Sequence, residues 1–251
     1  MPGRQRDGVS SQDLDRSTMP FSADLVTASL LPQLPDSVSQ AGLRYVIDAA
    51  QLAGLKAAGI VLPASLANAV LKRQVEFAAG RLCARLALHQ QGYGGSETLA
   101  IGEHRAPLWP PGFIGSISHG DGQAIAVAAA SGEWRALGID IESLLSREAA
   151  QPLVAHLMSA AEEGIGDTAG LPLERWLGLV FSAKESLFKA LYPFVGRYFD
   201  FLDVEVCELD QVQGSLMLRL LSSLSPQCVK GSEYCIRYRY SNNNIATLCL
   251  F

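Results

Sequence analysis

Two short stretches of this chain hold side chains whose chemistry belongs together. In Gly138-Ile139-Asp140-Ile141-Glu142 isoleucine alternates with acid, so on a strand both carboxylates point to one side of a sheet. Two like charges so placed call for a cation between them. In Phe181-Ser182-Ala183-Lys184-Glu185-Ser186-Leu187-Phe188-Lys189, helical spacing of Ser182, Glu185 and Lys189 lines up a third carboxylate and an ammonium on one stripe. Carboxylate oxygens are hard ligands that favour magnesium over zinc. Three acids and a lysine describe a magnesium site that faces a phosphate-bearing substrate.

Each group also has a plainer reading. Asp140 and Glu142 alone are compatible with the solvated face of a half-buried strand, although Gly138 permits close approach and the apolar strand before it places the segment centrally. Glu185 and Lys189 alone could be a surface ion pair worth about 0.3–0.5 kcal/mol. The apolar Trp176, Val180, Leu187, Phe188 and Leu191 argue instead that the polar stripe of that helix meets a partly enclosed cleft. Gly115-Ser116-Ile117-Ser118-His119-Gly120 offers amides, hydroxyls and an imidazole suited to an anion, while His119 by itself is as compatible with a structural histidine. Arg81 and Arg85 sit one turn apart behind Lys72 and Arg73, as on any solvated basic face, but mid-helix Gly80 implies something packed closely beside Arg81. Arg105 is a further loop cation.

The elements that must carry these groups follow from periodicity. Apolar residues three and four apart predict a long helix over 65–91, ended by Gly92, Gly94 and Gly95. Residues 115–130 read as strand, Gly-rich turn and strand, and another strand begins at Leu137. Ser159 to Glu162 has the form of a capping box, and 173–191 forms a second long helix stopped by Pro193. Strands are expected over 203–209, 215–221, 234–240 and 245–250, the last two joined by a turn at Ser241-Asn242-Asn243-Asn244. The expected architecture is α+β: two α/β lobes, 21–134 and 135–251, each a long helix beside a mainly antiparallel sheet, with the site in the cleft between them. Residues 1–20, polar and without an apolar run, are expected to form a disordered tail.

Composition excludes several classes. A formal net charge of -5 argues against broad contact with a nucleic-acid backbone, so any anion site must be local. Five cysteines without CxxC spacing indicate neither a disulfide framework nor a zinc cage, and are expected as reduced, mostly buried thiols. No apolar run is long enough to cross a membrane and no secretory leader is evident, so a soluble cytoplasmic protein is expected.

As an ordered set, KRQVEFAAGRLCAR (72–85), RAPLWPPGFIGSISHG (105–120), LGIDIE (137–142) and FSAKESLFKALYP (181–193) resemble the surfactin and enterobactin type of phosphopantetheinyl transferase, the enterobactin branch of Gram-negative bacteria most closely. The resemblance spans about half of the chain, and GIDIE followed by KESLFK is its specific pair. It implies a pseudo-two-fold monomer of two similar lobes that moves the phosphopantetheine arm of coenzyme A to a serine of an apo acyl or peptidyl carrier protein and releases adenosine 3',5'-bisphosphate. It further implies that Asp140, Glu142 and Glu185 bind magnesium, that Glu185 takes the serine proton directly or through a water, and that Lys189 contacts the pyrophosphate. Ser118 and His119 would hold coenzyme A phosphates, Arg105 would flank the nucleotide, and Arg81 or Arg85 would grip the 3'-phosphate. Whether one carboxylate serves as both ligand and base is open, as is the natural carrier, whose choice is expected to rest on loops and on residues 153–166. Two rivals are a magnesium-dependent hydrolase of nucleotide pyrophosphates and a non-catalytic protein that binds coenzyme A or a carrier.

Overall fold

The computed structural model describes residues 30–251, so the expected 1–20 tail lies outside the described residues. The chain runs β1 (Val38–Arg44), α1 (Ala49–Ala57), α2 (Leu71–Gln90), β2 (Phe113–Gly120), β3 (Gln123–Ala130), β4 (Leu137–Ser143), α3 (Arg147–Ala150), α4 (Val154–Leu157), α5 (Ala160–Thr168), α6 (Leu173–Val195), β5 (Val204–Asp210), β6 (Ser215–Leu220), β7 (Glu233–Ser241) and β8 (Asn244–Leu250). The strands form two antiparallel sheets, ordered β1-β3-β2 and β4-β8-β7-β6-β5. The α+β architecture expected from the periodicity is the one found: α2 lies on the first sheet and α6 on the second.

Strand β3 explains how the halves join. Its sequence QAIAVAAA is buried almost throughout because both of its faces are covered. Ala124, Ala126 and Ala128 pack under α2 with Val75, Leu82 and Leu86, and the small alanines let the helix come close. Ile125, Val127 and Ala129 point the other way, into a core shared with Ile139 and Ile141 of β4 and Ala246 and Leu248 of β8. The two sheets therefore share apolar packing, and their edge strands β2 and β4 run side by side. Hydroxyls complete that seam: Ser116 Oγ accepts from the amide of Ile139 at 3.0 Å, and Ser118 Oγ from that of Ile141 at 3.1 Å. The other face of β4 presses on α6, where a Cβ on Gly138 would lie 1.9 Å from the carbonyl oxygen of Ser186. Only glycine fits there.

Helix α6 has an apolar stripe wide enough to be sunk in the second core, with Trp176, Leu179, Val180, Leu187 and Leu191 all buried. It runs on through Pro193 to Val195 and ends at Gly196, whose φ of 68° places its amide on the carbonyl of Tyr192. Pro193 does not stop the helix as expected, because within the last turn it removes a single donor. Helix α2 starts at Leu71, later than expected: Val70 is extended and the Gln74 side chain donates to the carbonyls of Ala67 and Ala69, which holds the preceding turn outside the helix. The capping box is present on α5, with Ser159 and Glu162 bonding each other's backbone. No disulfide joins the described cysteines, and Cys83, Cys228 and Cys249 are buried. Among the described residues no helix is long and apolar enough to cross a membrane.

Candidate functional site

Asp140 lies where β4 passes under α6. Asp140 is buried, and its Oδ1 accepts from Lys189 Nζ at 2.7 Å and from Ser118 Oγ at 3.1 Å. Lys189 also donates to the carbonyl of Ile139 at 3.0 Å. The second oxygen of Asp140, Oδ2, is buried without a hydrogen-bond partner, which is costly for a carboxylate. Two residues along the same face, the Glu142 carboxyl is pushed up to about 7, chiefly by burial and then by the charge of Asp140, with Glu185 adding and Lys189 opposing. Burial raises Glu185 as well; Lys189 works against that shift and Asp140 adds to it. Glu142 thus feels Asp140 and Glu185, and Glu185 feels Asp140.

A divalent cation suits this donor set, since the oxygens are hard, one is orphaned, and the surplus charge is negative. The sequence assigned Asp140, Glu142 and Glu185 to one magnesium ion. Among the described residues no three His, Cys, Asp or Glu side chains are grouped so as to hold a metal. The ammonium of Lys189 lies on Asp140 within the seam and serves as its countercharge.

Beside the seam lies a cavity of about 480 Å³, within the range of small-molecule sites. Its walls come from Arg73, Glu76 and Arg81 of α2, the loop at His104 and Arg105, Ser116 and His119 of β2, and Phe188, Lys189 and Tyr192 of α6. Lys189 therefore touches both Asp140 and the cavity. Arg81 is buried, stacks 4.7 Å over the Phe77 ring and donates through Nε to the carbonyl of Leu99 at 2.9 Å. Burial, and then Arg73, lowers its pKa to about 10. No carboxylate pairs with it among the described residues. An unbalanced buried guanidinium on a cavity wall is a place for an anion. His119 is also held below its ordinary pKa, by burial first, and by Lys189 and Arg73, with Glu76 opposing.

Not every expected residue joins this wall. Arg85 is turned away: it donates to the carbonyls of Ala58 and Ser96 and pins two loops against α2. Of the two arginines, Arg81 is the one at the cavity. Ser118 is absent from the lining because its hydroxyl is committed to Asp140 and to the β4 backbone, so it positions an acid where a phosphate contact was expected. Lys72 is exposed, 3.9 Å from Glu76. The sequence reading left out Lys184, which is buried and held by Glu162 at 2.9 Å and by the carbonyl of Leu157 at 2.8 Å. It also gave no role to the lining residues Glu76 and Tyr192, and did not single out Ser116. The Ser-x-Ser alternation of Ser116 and Ser118 on one strand face was the available signal for the last.

Residues 62–129 match the sequence profile of the 4'-phosphopantetheinyl transferase N-terminal domain, and residues 136–248 that of the 4'-phosphopantetheinyl transferase superfamily. The chain belongs to the 4'-phosphopantetheinyl transferase superfamily. Among individual relatives it is 39% identical over 158 residues to 4'-phosphopantetheinyl transferase Svp of Streptomyces mobaraensis, covering 63% of this chain and 63% of that protein. It is 42% identical over 127 residues to enterobactin synthase component D of Escherichia coli strain K12, covering 51% and 59% respectively. With 4'-phosphopantetheinyl transferase Npt of Nocardia iowensis it shares 36% identity over 154 residues, 56% of this chain and 62% of that one. The match spans 59 to 63% of the length of these three superfamily members.

Proposed function

We propose that the protein transfers 4'-phosphopantetheine from coenzyme A to a serine hydroxyl of an apo acyl or peptidyl carrier protein. The observation that carries this reading is the join of two features: a carboxylate seam short of positive charge, and a cavity whose wall holds an unbalanced buried arginine. Lys189 links them. Similarity to proteins named enterobactin synthase component D supports carriers of siderophore-type peptide synthesis as the substrates.

In this reading Arg81 takes the 3'-phosphate of coenzyme A in the cavity, and Arg105 and His119 flank the remaining phosphates. Asp140, Glu142 and Glu185 would hold magnesium, which when bound supplies Lewis-acid polarisation of the diphosphate and neutralises charge on the leaving group. Lys189, already at the mouth between acids and cavity, turns from Asp140 toward the diphosphate and steadies the charge that develops there. Glu185, raised above the ordinary carboxylate range, accepts the proton of the carrier serine as its oxygen bonds to the phosphorus that bears the pantetheine arm. The bond from that phosphorus to the bridging oxygen breaks, and adenosine 3',5'-bisphosphate leaves.

Intact-mass measurement of an apo peptidyl carrier and an apo acyl carrier, each incubated with protein, coenzyme A and magnesium, tests the proposal. A gain of one phosphopantetheine on either supports it, and unchanged masses on both refute it. A parallel incubation without carrier separates the hydrolytic rival, which would release phosphopantetheine steadily.

A further inference from the structure

The loop from Ala100 to Leu108 projects from the first lobe and is closed at its base. Ile101 bridges Pro107, the Gly102 amide donates to the carbonyl of Ala106 at 2.8 Å, and the Leu108 amide to that of Ala100 at 3.0 Å. At its tip, His104 and Arg105 are consecutive non-glycine residues in the left-handed region, with φ of 50° and 68°. L-residues enter that region against a steric penalty and seldom in succession, so surrounding structure must hold them there.

Two phenols of the second lobe do so. Tyr192 donates to the carbonyl of Glu103 at 3.1 Å and Tyr198 to that of His104 at 3.2 Å. The His104 ring lies edge-on to both tyrosines, at 6.1 and 5.0 Å, and Phe188 stacks parallel on Tyr198 at 5.5 Å. The loop is thus a strap fixed at both ends across the large cavity, and His104, Arg105 and Tyr192 all line that cavity.

We propose that Tyr192 and Tyr198 are positioning residues for the anionic substrate: by gripping the carbonyls of Glu103 and His104 they keep the strap in its left-handed form and Arg105 on the cavity wall, where its guanidinium meets a phosphate. The inference rests on the reading of coenzyme A as the ligand. Each phenol acts through Arg105, so its contribution should exist only while Arg105 is present.

The test is a cycle of four proteins: wild type, Tyr192→Phe/Tyr198→Phe, Arg105→Ala, and the triple variant. Phenylalanine keeps the rings and their stacking and removes only the two donors. Coenzyme A binding is measured by calorimetry, and KM and kcat with an apo carrier. Losing two ordinary hydrogen bonds should weaken binding and raise KM about tenfold, with kcat within about twofold. In the Arg105→Ala background the same two changes should do nothing further. Wild-type affinity in the double variant, or an equal loss with and without Arg105, overturns the positioning role while leaving coenzyme A as ligand. A wild-type protein that binds no coenzyme A sinks the ligand reading itself, and this inference with it.

Discussion

Helix α6 carries two lysines five residues apart, and each meets a buried carboxylate with a different result. Lys184 is matched to Glu162, whose oxygens also accept from the amides of Ser159 and Val206, both at 2.8 Å. Every part of that carboxylate is satisfied, and nothing is left for a ligand. Lys189 meets only one oxygen of Asp140; the other is orphaned, two more acids stand nearby, and the lysine side chain is 26% exposed beside a cavity. A completed ion pair ties α5 and β5 to α6 as scaffold. An incomplete one is a place where binding can still lower the free energy.

The largest effect should come from the open side. Glu185→Gln is expected to lower the transfer rate by about 10²–10⁴, a barrier increase of roughly 3–5 kcal/mol, with an unchanged melting temperature. Single-turnover kinetics on an apo carrier measure it, and an active variant removes Glu185 as the base. On the closed side, Glu162→Ala strands the Lys184 ammonium and the amide of Val206 and should cost about 3–5 kcal/mol of stability in denaturant unfolding. A loss below about 1 kcal/mol would erase the contrast between the pairs. Gly138→Ala pushes a methyl into the backbone of α6 at Ser186 and should cost about 1–3 kcal/mol while moving Glu185 and Lys189 off β4, so activity and stability fall together. The smallest change in stability should be that of Asp140→Asn, within about 1 kcal/mol, because the lost attraction to a partly exposed lysine is offset by relief of Glu142 and Glu185. The same variant should lose transfer activity.

Much of the second half was legible because its signals are local. Alternation placed Asp140 and Glu142 on one face of β4, helical spacing placed Glu185 and Lys189 on one stripe, and Gly138 announced the close approach of α6. Strands β5 to β8 were readable too, β7 by its alternation of Tyr234, Ile236, Tyr238 and Tyr240 with Cys235, Arg237 and Arg239. What escaped depends on partners distant in the chain. Strand β1, VSQAGLR, is nearly half polar without strict alternation, and takes its place by pairing with β3. Lys184 and Lys189 look alike in sequence, since each lies within about one turn of Glu185 on the same helix, and tertiary neighbours alone separate scaffold from site. Arg81 and Arg85 share a helix face yet diverge because long side chains follow the nearest free carbonyls. Nothing in His104-Arg105 marks a left-handed tip, which is bonded by Tyr192 and Tyr198, distant in the chain.

The central claim is that the Asp140 seam is completed by a cation and a diphosphate together. It is tested most directly by the melting temperature of wild type and Asp140→Asn with coenzyme A, with magnesium and with both, since a ligand that binds only the folded state raises it. The account predicts that wild type gains clearly more with both than the two separate shifts combined, and that Asp140→Asn loses this surplus. A coenzyme A shift indifferent to magnesium, or a surplus that survives in Asp140→Asn, would contradict it.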